Sequence, residues 1–279
     1  MIKAKPSKLP IKPGAVLGLL KELRASAQAD KPLVVSGAPG LVAVLVRELT
    51  RGGVSSAIRE QGPIEGAAAV VLALAGPLDG DDQKVLKQAA KARAPVVVVS
   101  AGPTDPGRIP YVLDENVVHV GTATALPVEA IAQRLARSLG EAATPLAARL
   151  PVLRRPVCEE LIRRFSRRNA LVGVAVFLPG ADLPVLTLNQ VRLVLRIADA
   201  YGFEIDRNRL PEVLSVMGSG LGFRALARRA VGYVPLFGWA VKGAVAYTGT
   251  RALGGAAMRY FERRAPVTRV PGARTLFPR

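Results

Sequence analysis

The 279-residue sequence has almost none of the residues that build disulfide frameworks or metal centres. It contains one cysteine, Cys158, and one histidine, His119. These counts exclude an internal disulfide and a metal site made of several imidazoles, and they fit a reducing, cytoplasmic compartment. Two glutamates follow Cys158 and raise the pKa of a thiol, while His119 stands in a short apolar strand, so we expect both residues to be structural and no cofactor or metal to be bound.

Aromatic residues are also scarce, at 5% of the chain, which leaves few stacking platforms for single-stranded nucleic acid. Positive charge is in excess instead, because 39 Lys and Arg stand against 21 Asp and Glu for a formal net charge of +18. Residues 1–150 contribute +5 (18 basic against 13 acidic) and residues 151–279 contribute +13 (21 against 8). This charge predicts an acidic partner, with an anionic membrane surface and nucleic acid as the two candidates.

Every long apolar run in the sequence is interrupted by charged residues, proline or glycine. Residues 169–191 contain one charge, Asp182, but Pro179-Gly180 and Pro184 divide them into pieces too short to cross a bilayer. Residues 230–258 are interrupted by Lys242 and Arg251, each of which costs about 2.5 to 3.5 kcal/mol at a bilayer centre. The N-terminal apolar run is broken by Pro13-Gly14, so we expect no secretory signal. The pattern favours re-entrant or interfacial helices, or the core of a soluble bundle.

The first half alternates apolar β-branched runs with helical segments, which predicts an α/β domain with a parallel sheet over residues 31–142. The predicted strands are 32–37, 54–58 (weak), 67–75, 95–100 and 117–120. The predicted helices are 41–51, 79–93 and 127–139, and a further helix is expected over 13–28 within a lead-in of residues 1–30.

The second half shows no strand pattern and predicts an all-α helical-hairpin domain over residues 151–264. Residues 143–156 contain three prolines and no clear period, so we place the domain boundary near residue 150. Candidate helices are 157–178, 184–201, 211–231 and 238–261. On the second of these, four polar residues fall on one stripe, which predicts an amphipathic helix: Asn189, Arg192, Arg196 and Asp199. Residues 265–279 are predicted to be a disordered tail.

A turn after the first strand raises the question of nucleotide binding. Gly37 and Gly40 stand at a predicted helix N-terminus, a geometry that favours phosphate. A phosphate loop also needs glycine, lysine and a hydroxyl at the positions held here by Val42, Ala43 and Val44. Asp105 is the one acid in the region that would read guanine. We interpret these glycines as a tight turn.

The segments AAAVVLALAGPLDGDDQKVLKQAAKARAPVVVVSAGPTD and VGTATALPVEAIAQRLARSLG resemble the Era-type GTPase fold over about residues 32–140. The resemblance is one of pattern and not of intact motifs. It implies a degenerate, Rossmann-like pseudo-GTPase domain that binds no nucleotide. A nucleotide-binding switch with an unorthodox phosphate loop is the alternative.

Arginine clusters bracket the apolar regions of the second half, as expected where every flank faces the cytoplasm. The residues predicted to contact a membrane or another anion are Arg163, Arg164, Arg167, Arg168, Phe177, Arg224, Arg228, Arg229, Trp239, Lys242 and Arg251.

The segments ADLPVLTLNQVRLVLRIADAYG and GSGLGFRALARRAVGYVPLFGWAVKGAVAYTGTRALG resemble the YcjF-like family over about residues 155–262. That resemblance implies a bacterial membrane protein, on the cytoplasmic side of the inner membrane, and no catalytic residues. The sequence therefore predicts a non-enzymatic, membrane-associated scaffold or regulatory protein, with a protein partner and homo-oligomers as options. The alternatives are a soluble helical interaction module and a non-specific nucleic-acid binder.

Overall fold

The computed structural model of the chain describes residues 31–102, 107–121, 126–175, 183–203 and 238–265, together with six isolated positions nearer the N-terminus: Gly14, Gly18, Leu19, Lys21, Glu22 and Ala25. Those six positions are helical, in agreement with the helix predicted over 13–28. The helix predicted over 211–231 and the tail predicted over 265–279, apart from Ala265, lie outside the described residues.

Five parallel strands form one sheet in the order β2-β1-β3-β4-β5. They are β1 (Leu33–Gly37), β2 (Ile58–Glu60), β3 (Ala69–Leu74), β4 (Val96–Ala101) and β5 (Val117–Val120). The central strands β3 and β4 are almost entirely buried, which explains their continuous apolar sequence. The α/β fold class with a parallel, Rossmann-like sheet is confirmed.

The edge strand β2 lies later in the chain than the weak strand that the sequence pattern predicted. Residues Ser55–Ala57 form a 3-10 turn, and β2 begins only at Ile58, which pairs with Leu33 of β1. Its last two residues are Arg59 and Glu60. Charged residues are common on edge strands because they discourage pairing with other chains. The same charges remove the apolar pattern by which a strand is recognised, so the prediction of 54–58 is wrong in position.

Helices cover both faces of the sheet. The helix α1 (Pro39–Thr50) and the helix α3 (Val128–Leu139) share one apolar cluster with alternate strand residues such as Val35, Val71 and Val99. The helix α2 (Gly80–Ala92) packs on the opposite face. It begins with a capping box in which the Asp79 carboxylate accepts from the amides of Asp81 and Asp82 at 2.9 and 2.8 Å.

The proline-rich stretch near residue 150, where the domain boundary was placed, is helical. It contains α4 (Thr144–Arg149), a 3-10 turn at Pro151–Leu153 and the start of α5 (Arg154–Ala175). Pro145, Pro151 and Pro156 each lie in the first turn of one of these elements. A first-turn proline breaks no helical hydrogen bond, so these prolines start helices instead of ending them.

The C-terminal part of the described chain is a bundle of α5, α6 (Leu183–Ala200) and α7 (Gly238–Glu262). Contacts between α5 and α7 run antiparallel, because Gly173 lies against Lys242 and Ala246 while Gly254 lies against Ile162. Small residues let the two backbones approach closely at both ends of this contact. The sheet, α1, α3 and the bundle helices share one apolar cluster, so the core is continuous across residue 150.

Candidate functional site

In the turn at the carboxyl end of β1, two backbone amides donate hydrogen bonds to carbonyl groups of the protein itself. The N–H of Ala38 donates to the carbonyl of Ala73 on β3 at 2.9 Å, and the N–H of Leu41 donates to the carbonyl of Ala38 at 3.1 Å. Pro39, between them, has no N–H. A phosphate cradle needs such amides free to point at the ligand. The amides of Ala38 and Leu41 are instead engaged with the protein backbone.

Gly37 makes this closure possible. Its φ of +113° lies in a region that side chains avoid, and a Cβ there would collide with the carbonyl oxygen of Ala73. Gln61 covers the same turn, since its backbone N–H donates to Val35 at 2.9 Å and its side-chain amide to the Gly37 carbonyl at 3.3 Å. Gly40 is exposed in the first turn of α1, with open space beside it. Asp105 lies outside the described residues.

The predicted membrane-contact arginines of α5 have different environments. Arg163 and Arg164 both pair with Glu160, whose side chain is only 5% exposed, at 2.7 and 2.5 Å. Arg164 also donates to the carbonyl of Arg137 at the end of α3. Burial opposes ionisation of Glu160, but hydrogen bonds from the two guanidinium groups outweigh it and lower the pKa of this carboxyl. Glu160 therefore neutralises part of the charge of these two arginines, and their predicted membrane contact stays a prediction.

The next two arginines differ from each other. Arg168 lies 3.5 Å from Glu141 and over the ring of Phe165 at 5.2 Å. Arg167 is exposed, and no hydrogen bond or ion pair of its side chain is found within the described part of the chain. Arg167 is therefore the member of the predicted cluster that has its charge available to a partner.

The predicted cations of α7 are also exposed. Lys242 lies near the start of the helix, and Arg251 lies beside a groove of about 680 Å³ between α5 and α7 that Arg163 and Arg259 also line. Trp239 belongs to the first turn of α7. Phe177, Arg224, Arg228 and Arg229 lie outside the described residues, so their predicted membrane contacts stay predictions.

The two residues judged structural on sequence have contrasting positions. Cys158 is fully buried, and burial raises the pKa of its thiol. His119 is exposed on the edge strand β5. Among the described residues no cluster of three or more potential ligands suited to a metal ion is present.

One end of the helical bundle exposes apolar side chains. Leu171 of α5 is 70% exposed and Val185 of α6 is 47% exposed, on the two helices that residues 176–182 join. We call these two residues the apolar tip. Lys242 belongs to the same end, because its carbonyl lies against Gly173, and Arg167 lies one turn of α5 below Leu171. None of the described helices is both long and apolar enough to cross a membrane.

Two sets of polar side chains connect the helices of the bundle through partners that the sequence did not indicate. Asn169, Asn189 and Thr250 form a hydrogen-bonded chain across three helices, and Arg192 and Arg196 of α6 pair with Glu22 and Glu141. The stripe on α6 was recognised as polar and expected on an amphipathic surface, yet Arg196 is 5% exposed. Its partners lie far away in sequence, and no local pattern identifies them.

Comparison with protein-family models, with curated proteins and with solved structures finds no match. The resemblances to Era-type GTPases and to the YcjF-like family therefore stay predictions.

Proposed function

We propose that this protein is a non-enzymatic, membrane-associated scaffold whose helical bundle inserts its apolar tip into an anionic surface. The observation that carries the proposal is the exposure of Leu171 and Val185 at one end of the bundle, beside the cations of Arg167 and Lys242. Interfacial proteins are held to membranes by burial of apolar side chains and by attraction between cationic side chains and anionic lipids, and this end of the bundle offers both.

The exposed position of Leu171 supports insertion at the tip. A leucine left 70% in solvent forgoes the stabilisation that its burial would give, about 1.5 to 3 kcal/mol. Burial in the acyl boundary of a bilayer would recover that stabilisation. The sequence that follows, Val176-Phe177-Leu178, is apolar as well.

Charge supports attachment at the surface of the membrane. Lys242 and Arg251 are both exposed on α7, so neither is neutralised inside the bundle in the way that a crossing helix would require. Near an anionic leaflet each such cation adds about 1 kcal/mol of attraction. The proposed site of attachment is the cytoplasmic side of the bacterial inner membrane.

The α/β part serves, in this proposal, as a pseudo-GTPase domain that presents the bundle to a protein partner. In its support, two amides of the turn after β1, those of Ala38 and Leu41, already donate to backbone carbonyls. The positions that should carry lysine and hydroxyl are held by Ala43 and Val44. A domain of this kind would contribute surface and stability instead of nucleotide hydrolysis.

Vesicle co-sedimentation of the full chain tests the proposal. We expect binding to vesicles of phosphatidylglycerol and phosphatidylcholine, falling at least tenfold in Leu171→Asp. The matched control is Leu113→Asp, because Leu113 is 65% exposed on a loop of the α/β part and should not touch the membrane. Equal losses in the two variants, or no binding by the wild-type chain, would overturn the proposal.

The charge contribution is tested in the same assay. Arg167→Gln should weaken binding about fivefold, the equivalent of about 1 kcal/mol, and reduce its salt dependence. Lys87→Gln removes an exposed charge from α2, on the far face of the sheet, and should have little effect. If the two substitutions weaken binding equally, the attraction comes from net charge and not from the tip. Size-exclusion chromatography without vesicles shows whether the tip joins copies of the chain instead.

A further inference from the structure

A cluster of charges lies inside the helical part of the described chain, and its member Arg168 stands three positions before Leu171 of the apolar tip. The Glu22 carboxylate receives Arg192 at 2.5 and 2.6 Å on its two oxygens and Arg196 at 3.0 Å. Glu141 is held more loosely, at 3.4 Å from Arg196 and 3.5 Å from Arg168. Both arginines of α6 therefore make their closest ion pairs with Glu22.

Three guanidinium groups face two carboxylates in this cluster, so Glu22 neutralises charge that Glu141 alone cannot. The side chain of Arg196 is only 6% exposed and that of Arg192 29%. A guanidinium does not lose its proton in a protein, so an arginine this deeply buried requires an anion beside it. If Glu22 leaves, three positive groups remain around one carboxylate.

The two acids are anchored very differently. Glu141 lies between α3 and α4, where its backbone carbonyl also accepts from Arg196 at 3.2 Å and from Thr144 at 3.3 Å. Glu22 is 48% exposed and comes from the N-terminal segment, 170 positions before Arg192. Among the described positions of that segment Leu19 is buried in the core, while the other positions, Glu22 among them, are exposed.

We propose that Arg192 and Arg196 form a binding site for a phosphate group, and that Glu22 occupies this site as a displaceable internal ligand. A tetrahedral phosphate offers several acceptor oxygens to converging guanidinium groups, and arginine binds such oxygens in pairs. Inorganic phosphate and the monoester headgroup of phosphatidic acid share this chemistry. Binding of either would release Glu22 from Arg192 and Arg196 of α6. The site does not depend on the proposed membrane contact.

The first test uses the full chain with Glu22→Gln, which keeps the shape of the side chain and removes its charge. Thermal unfolding is followed over a titration with inorganic phosphate against sodium chloride of equal ionic strength. The variant should be stabilised saturably, with an apparent affinity for phosphate at least tenfold tighter than that of the wild type. Glu115→Gln, which removes an exposed acid from the loop before β5, is the matched control and should behave as the wild type does.

Adding Arg192→Gln to Glu22→Gln should abolish the phosphate effect. Phosphate stabilisation that is equal in Glu22→Gln and Glu115→Gln, or that survives loss of Arg192, would overturn the proposal.

A second measurement needs no variant, in case Glu22→Gln does not fold. In the wild-type chain, hydrogen exchange of residues 18–25 should accelerate severalfold at saturating phosphate, because the ligand displaces Glu22. Unchanged exchange overturns the proposal. Vesicles with phosphatidic acid, compared with vesicles that carry the same charge as phosphatidylglycerol, distinguish a monoester lipid headgroup from free phosphate and from the general membrane contact as the source of the same effect.

Discussion

Asn169 of α5 donates its side-chain amide hydrogen to the hydroxyl of Thr250 on α7 at 2.8 Å, across 81 positions of sequence. Its carbonyl oxygen accepts from Asn189 of α6 at the same distance. Both Asn169 and Thr250 are fully buried. A buried polar chain of this kind penalises any sliding of one helix past another, because a shift would leave its groups unpaired in an apolar core.

The first prediction is that Thr250→Val lowers the free energy of unfolding by about 1 to 3 kcal/mol, because Asn169 loses its buried acceptor. The measurement is urea unfolding at equilibrium. Thr248→Val is the matched control, since both hydroxyls bond to a carbonyl four positions earlier but Thr248 is exposed. It should change stability by less than about 0.5 kcal/mol. Similar losses in the two variants would contradict the role given to the buried chain.

A second prediction concerns two adjacent glycines of α7 that should respond to alanine in opposite directions. A Cβ on Gly254 would lie 2.5 Å from Cγ1 of Ile162, whereas a Cβ on Gly255 would meet nothing closer than Arg259 at 3.5 Å. Gly254→Ala should destabilise by about 1 to 3 kcal/mol through overpacking. Gly255→Ala should stabilise by up to about 1 kcal/mol through helix propensity. Thermal unfolding of both variants decides this, and stabilisation by Gly254→Ala would show that α5 and α7 do not pack as described.

The third prediction is a pH dependence that arises from Glu160. Arg163 and Arg164 lower its pKa in the folded state, so its stabilising contribution is complete above the pKa of the unfolded chain and is lost as pH falls through the folded value. Glu160→Gln should therefore cost about 2 kcal/mol at pH 7. The difference from the wild type should shrink below about pH 4, near the ordinary pKa of glutamate.

Urea unfolding at several pH values measures this difference. Glu159→Gln is the control, because its pair with Arg155 is exposed and exposed pairs contribute little, less than about 1 kcal/mol. A cost of Glu160→Gln that is the same at pH 3 and pH 7 would contradict the assignment.

The sheet was predictable because its signals are local. The apolar runs of β3 and β4 mark strands buried on both faces, and Asp79 with Asp82 marks the start of α2. The edge strand β2 carries Arg59 and Glu60, so it lacks the apolar pattern and was misplaced.

The candidate sites were predictable only in part, for the opposite reason. The basic clusters were evident in the sequence, and Arg163 and Arg164 stand three and four positions after Glu160 on one helix, a local spacing that indicates such pairs. The pairs of Arg192 and Arg196 with Glu22 join residues 170 and 174 positions apart. Charge counts locate such residues on the chain, and only the packing of the helices distinguishes a paired arginine from a free one.

The last prediction is that the full chain binds no Mg²⁺-GTP or Mg²⁺-ATP at micromolar concentration through the turn after β1. Two amides of that turn already donate to backbone carbonyls, and Pro39 has none to offer. At the positions that would neutralise phosphate and hold Mg²⁺, the chain has Ala43 and Val44, which carry neither charge nor hydroxyl. Isothermal titration calorimetry is the measurement. Because the arginine cluster of α6 is a second place for phosphate, the titration is repeated with Arg192→Gln. Micromolar nucleotide binding that persists in this variant would contradict the prediction and favour a switch with an unorthodox phosphate loop.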